Sequence, residues 1–150
     1  MESRRNAPVA ADDTLDDMSA ELVRSGRLFP GAPYAYAATV PETGLIVTAG
    51  ACPLDEQGVV VAPGDIAAQM RQAVGNLRIA LEECGAGLHD VLKTTVYVAS
   101  NRQEDLVAAW NEVAAGFGEH DPPSTLLGVT VLGYPDQLVE IEAIAVGAQR

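Results

Sequence analysis

Apolar residues between 66 and 84 recur at every third or fourth position, and Ile66, Met70, Ala73, Leu77, Leu81 and Cys84 share one face of a helix. Asp65 precedes the run as an N-cap, and Gly85 and Gly87 close it. A second helical period covers 105–117 through Leu106, Ala109, Trp110, Val113 and Phe117. Elsewhere the pattern is that of strands. Residues 34–40 and 45–50 flank the turn Pro41-Glu42-Thr43-Gly44, and Val59-Val60-Val61 sits between Gly58 and Pro63-Gly64. Residues 90–99 are rich in β-branched side chains, and the closing runs 125–132 and 138–146 are joined by Gly133-Tyr134-Pro135-Asp136. A short helix is expected over 17–25.

The order β-β-β-α-β-α-β-β predicts an α+β fold, a mixed sheet with both helices packed on a single face. The opposite sheet face is then left without cover although few of its residues are charged. A homo-oligomer that buries this face is the expected solution.

Composition narrows the class of protein. At 150 residues, with 48% hydrophobic and 20% charged positions, the chain has the make-up of one globular domain. That domain is assigned to residues 18–150, and residues 1–17, with Asp12, Asp13, Asp16 and Asp17, read as a mobile acidic arm. Nine Lys and Arg stand against 21 Asp and Glu, a formal charge of −12, and the single lysine is Lys93. Such a surface repels phosphate backbones, so nucleic acid and anionic membranes are excluded as expected partners in favour of a small molecule or a protein. Neither a signal-peptide core nor a membrane-length apolar stretch is seen, and the expected location is the cytoplasm.

Candidate chemistry is concentrated in the last strand. Alternation over 138–146 puts Val139, Ile141, Ala143 and Ala145 on one face and Glu140 and Glu142 among apolar residues on the other. Paired carboxylates in a partly desolvated setting suit general acid–base work. The same pattern also suits a solvated strand face or carboxylates paired with neighbouring donors. Cys52, at a strand end after Ala49-Gly50-Ala51, has no activating base nearby in sequence and reads as a small buried residue. Cys84 belongs to the apolar helix face, and His89 and His120 lack further ligands at metal spacing, so no metal is expected.

Several blocks, in order, resemble the RidA/YjgF family, also labelled L-PSP endoribonucleases. They are Ala32-Pro33-Tyr34, the run from Thr48 through Ala49-Gly50-Ala51-Cys52-Pro53-Leu54-Asp55, and residues 69–77 with Asn76. Asp90-Val91-Leu92-Lys93-Thr94-Thr95-Val96, Trp110-Asn111-Glu112-Val113 and Glu140-Ile141-Glu142-Ala143-Ile144-Ala145 complete the set. The resemblance implies a chorismate-mutase-like fold, a homotrimer with small-molecule clefts between subunits, and cofactor-free hydrolysis of reactive enamines and imines. It places Glu140 as the residue linked to the reacting water, and Tyr34, Asn111, Ser124, Thr125, Ala49 and Cys52 as residues shaping the substrate cleft.

Two departures from the family pattern bear on substrate choice. Ala49-Gly50-Ala51 replaces a Ser-Gly-Gln block, and Ser124 stands where the family carries an arginine that grips the substrate carboxylate. A serine hydroxyl supplies neither the charge nor the paired geometry of a guanidinium, a loss of about 2–5 kcal/mol of binding for an acid. The resemblance with these departures implies a divergent hydrolase, deaminase-like, acting on enamines, imines or related reactive nitrogen compounds without a carboxylate. A non-catalytic metabolite-binding trimer, and a biosynthetic enzyme using the cleft for other acid–base chemistry, are the alternatives. The ribonuclease label ranks last on charge.

Overall fold

A computed structural model describes residues 18–148. The expected acidic arm, residues 1–17, lies outside the described residues. Among the described residues, six strands form one sheet in the order β1-β2-β3-β6-β4-β5. They are β1 (Glu21–Val23), β2 (Ala37–Val40), β3 (Leu45–Thr48), β4 (Val91–Val98), β5 (Ser124–Gly128) and β6 (Val139–Val146), with α1 (Ile66–Glu83) and α2 (Gln103–Phe117) between them. All neighbours pair antiparallel except β4 and β5, which run parallel because α2 carries the chain back between them. The mixed sheet with two helices is the arrangement the pattern predicts.

The helices start and stop where the local chemistry requires it. The Asp65 carboxylate accepts the Ala68 amide at 2.9 Å, which satisfies one of the free N–H groups opening α1. Met70, Ala73, Leu77 and Leu81 on its inner face are fully buried. They meet Val139, Ile141, Ala143 and Ala145 of β6, the buried half of that strand's alternation. In α2, Ala109, Val113 and Phe117 are buried while Trp110 remains 36% exposed at the edge of the helical stripe.

Four local expectations are corrected. Within 17–25, residues Glu21–Val23 form strand β1 instead of a helix, because they pair with β2 through Glu21↔Thr39 and Val23↔Ala37. A sheet edge offers ladder hydrogen bonds that outweigh a weak helical period in so short a run. Residues 59–61 make no strand of the sheet. Val60 only bridges Leu54, in a loop where the Asp55 carboxylate accepts the amides of Gln57 and Val59. The strand expected over 125–132 stops at Gly128, opposite Val98, the last residue of its partner β4. The strand expected over 34–40 is likewise shorter, and Tyr34 and Tyr36 stand outside it.

The face of the sheet opposite the helices carries Leu22, Leu45, Val47, Ile144 and Val146, each 37% exposed or more. Glu140 and Glu142 continue this face along β6.

Candidate functional site

Glu140 gains its setting from three separate segments. The first is the loop 133–138, which folds back so that Gln137 is almost fully buried. The Gln137 amide nitrogen donates to the Val139 carbonyl and to Glu140 Oε2, each at 3.0 Å, while its oxygen accepts the Tyr134 amide at 3.0 Å. The second segment is Gly50-Ala51, bridged to β6 through Ala51 and Ile141. A Cβ at Gly50 would collide with the Glu140 carboxylate, so only glycine lets the carboxylate lie against the backbone there. The third is Tyr34, whose hydroxyl shares a 3.2 Å hydrogen bond with that of Tyr134.

Together these surround a cavity of about 290 Å³ lined by Tyr34, Ala49, Gly50, Cys52, Gly133, Tyr134, Gln137 and Glu140. Among the described residues, that lining contains a carboxylate and no Lys or Arg. Burial, reinforced by the nearby Glu140 charge, pushes the Cys52 thiol up to about 12. It therefore stays protonated near neutrality and donates to the Gly50 carbonyl at 3.6 Å, so it shapes the cavity and is no nucleophile. Burial and the bond to Tyr134 also raise Tyr34, which keeps its hydroxyl as a hydrogen-bond donor. Among the described residues, what the arrangement offers is a fixed carboxylate and neutral hydroxyls, with no Lys or Arg in the lining.

The residues singled out from sequence divide into groups. Tyr34, Ala49, Cys52 and Glu140 line one cavity. Ser124 lies on the helix side of the sheet, where it is hydrogen-bonded to Thr94 and donates to the Pro122 carbonyl at 2.9 Å. Thr125 points to the other face and accepts Lys93 Nζ at 2.7 Å. Asn111 is exposed on α2. Within a single chain these three do not reach the Glu140 cavity. Glu142 has its own partner, the Tyr97 hydroxyl at 2.7 Å, and that bond pushes Tyr97 up to about 12. Sequence reasoning read Tyr134 as a turn residue and did not single out Gln137. Their only sequence signal is two polar side chains close ahead of Glu140.

The chain matches the family described as Endoribonuclease L-PSP over residues 27–147. The chain belongs to this family. The expected RidA/YjgF membership is thereby established. Among its relatives in the L-PSP family, a RutC family protein of Pyrococcus abyssi is 38% identical over 117 residues, 77% of this chain and 87% of that protein. The 2-iminobutanoate/2-iminopropanoate deaminase of Escherichia coli K12 is 36% identical over 120 residues, 78% of this chain and 91% of that enzyme. The crystal structure of the YjgF gene product of E. coli superposes with a TM-score of 0.72 at 31% identity, covering 84% of this chain and 98% of that one. Among the described residues, no helix is long and apolar enough to cross a membrane.

The raised groups carry a pH prediction. Above the ordinary thiol value of 9.0 and phenol value of 10.0, the unfolded chain loses protons that folded Cys52 and Tyr97 retain until about 12. The native state then binds more protons than the unfolded state, so stability falls as pH rises through this window. Urea midpoints measured from pH 8 to 11 are expected to decline, and Cys52→Ala to make the decline shallower. An unchanged slope in the variant would remove Cys52 from this account.

Proposed function

We propose that this protein hydrolyses imines or enamines that lack a carboxylate, releasing ammonia and a carbonyl compound. The observation that carries the reading is the Glu140 carboxylate, held through one oxygen by Gln137 over Gly50, in a cavity whose lining, among the described residues, has no Lys or Arg. Glu140 takes a proton from water as the hydroxyl oxygen bonds to the imine carbon and the C=N π electrons move to nitrogen. Return of that proton from Glu140 to the nitrogen gives a neutral carbinolamine, and Glu140 then carries the carbinolamine hydroxyl proton to the same nitrogen, leaving a zwitterion with an alkoxide oxygen and an ammonium leaving group. Its collapse forms C=O and expels ammonia, so one water is consumed for each ammonia released. The neighbouring charge favours a neutral imine or its protonated, cationic form over an anionic imino acid. The name of the E. coli relative, a deaminase of 2-iminobutanoate and 2-iminopropanoate, supports the reaction class.

The test is ammonia release from freshly generated 2-iminobutanoate and from a neutral imine of the same carbon skeleton lacking the carboxylate. A preference of at least tenfold for the neutral compound is expected. Equal or faster hydrolysis of the imino acid would overturn the substrate preference. No acceleration of either would favour a metabolite-binding role instead.

The bare sheet face supports assembly as the homotrimer implied by family resemblance. Val47 and Ile144 are cross-strand partners at 46% and 40% exposure, and each leaves apolar surface in water unless another subunit covers it. Sedimentation is expected to give three times the 15.7 kDa chain mass, and Val47→Asp to shift the protein to single-chain mass. A wild-type monomer would rule the trimer out.

A further inference from the structure

A second chamber adjoins the Glu140 cavity. The two share Tyr34, Ala49 and Cys52, and the chamber continues toward α1 and the segment 27–29. Its apolar surface comes from Leu28, Phe29, Leu54, Leu77 and Ala80, four of them buried. Charged residues border it at Arg27, Asp55 and Glu56: Arg27 pairs with Glu82 at 2.7 Å, the Asp55 carboxylate accepts the amides of Gln57 and Val59, and Glu56 is exposed. The neutral polar groups are turned onto the protein. Asn76 Nδ2 donates to the carbonyls of Cys52 and Leu54, both at 2.9 Å, and Gln72 Nε2 donates to Leu54 and to Asn76 Oδ1. The Tyr36 hydroxyl donates to the Phe29 carbonyl at 2.6 Å. With these donors turned onto the protein, what the buried wall of the chamber offers a guest is chiefly hydrocarbon, and its charged residues Arg27 and Glu56 are exposed. The space exists because two wall positions, Ala49 and Ala51, carry only methyl groups.

We propose that this chamber receives an unbranched apolar side chain of the molecule whose nitrogen-bearing end lies against Glu140. The proposal rests on the reading of the Glu140 cavity as the reaction site and names the class of its substrate: a primary imine with a short alkyl tail. An apolar cavity of about 150 Å³ accepts benzene. By proportion, the chamber of about 100 Å³ takes a tail of about four carbons. Charge sets one end of the ligand and hydrocarbon the other, and the shared wall of Tyr34, Ala49 and Cys52 lies at the junction.

Titration calorimetry of the full chain with n-alkylammonium ions, from ethyl to hexyl, tests this without requiring turnover. Affinity is expected to rise about fourfold for each added methylene until the chamber is full, then level off. Ala51→Leu and Ala80→Leu, each of which adds bulk to a residue lining the chamber, are expected to flatten that gradient. A crystal structure of the wild type with butylammonium gives a readout that does not depend on either variant folding, and the tail is expected between Leu54 and Leu77. A flat series, no binding at any length, a gradient that persists in a folded variant, or a tail lying outside the chamber would each overturn the proposal. Glu140→Gln separates this outcome from the hydrolase reading, since it should weaken every chain length by the same factor. A gradient that survives while Glu140→Gln has no effect upholds the chamber and removes Glu140 from the head-group site. A flat gradient with a Glu140→Gln loss does the reverse.

Discussion

Glu140→Gln is expected to lower kcat/KM for neutral imine hydrolysis by about 10²–10⁴-fold, the usual contribution of a positioned general base. The substitution isolates chemistry from structure. A carboxamide of the same length can accept the Gln137 amide at the place where Oε2 now accepts it at 3.0 Å, so the loop 133–138 keeps its anchor. Gly50 continues to leave room for the planar group. Melting temperature should therefore stay close to the wild-type value while turnover collapses. Steady-state ammonia release together with a thermal melt measures both. Turnover within a factor of three of wild type would exclude Glu140 as the base.

The second large effect is on stability and comes from a residue that touches no ligand. Gln69→Leu is expected to destabilise the fold by about 2–4 kcal/mol, because the Asp136 carbonyl and the Leu138 amide lose their side-chain partner at once and the Ala62 carbonyl, which keeps the Asp65 amide, loses one of two. Gln69 is fully buried on α1, and its amide nitrogen donates to the carbonyls of Ala62 at 3.3 Å and Asp136 at 2.9 Å. Its oxygen accepts the Leu138 amide at 2.8 Å. Leucine conserves the volume and supplies none of these bonds. Water reaching the exposed residues Ala62 and Asp136 repairs part of the loss, which sets the upper end of the range. Urea unfolding with an unchanged m-value is the measurement, and a change below about 0.5 kcal/mol, the level of an ordinary surface substitution, would refute the account. Activity should fall as well, since the same side chain ties down the loop that presents Tyr134 and Gln137.

Legibility in the sequence followed the strength of local signals. The stretch over 66–84 announced α1 because its apolar period persists through five turns and is bounded by Asp65 and Gly85. The alternation in 138–146 announced which half of β6 is buried, and Val139, Ile141, Ala143 and Ala145 are indeed in the core. Segments of only a few residues were decided by partners distant in sequence. Glu21–Val23 is a strand because β2 lies beside it, and Val59-Val60-Val61 is outside the sheet because only the loop residue Leu54 does. Local preference in a three-residue run is worth less than the hydrogen bonds a neighbour supplies or withholds.

The candidate site shows the same division more sharply. Glu140 and Tyr34 stood out in sequence, Glu140 through its company on an apolar strand face and both through family resemblance. Gln137 and Tyr134 did not, since no period or spacing marks a side chain whose role is to hold another.

The sequence by itself determined the helix faces, the buried half of the last strand, the acidic charge and the family. These depend on the order and type of neighbouring residues, which local sterics and burial translate directly into structure. Only the tertiary structure decided that Gly50 must lack a side chain, that Gln137 and Gln69 fix the loop beside Glu140, and that Ser124, Thr125 and Asn111 lie away from that cavity in one chain. Apart from the bond between Gln137 and Glu140, which spans three residues, each of those facts is a distance between segments far apart along the chain, and such distances exist only once the sheet has paired.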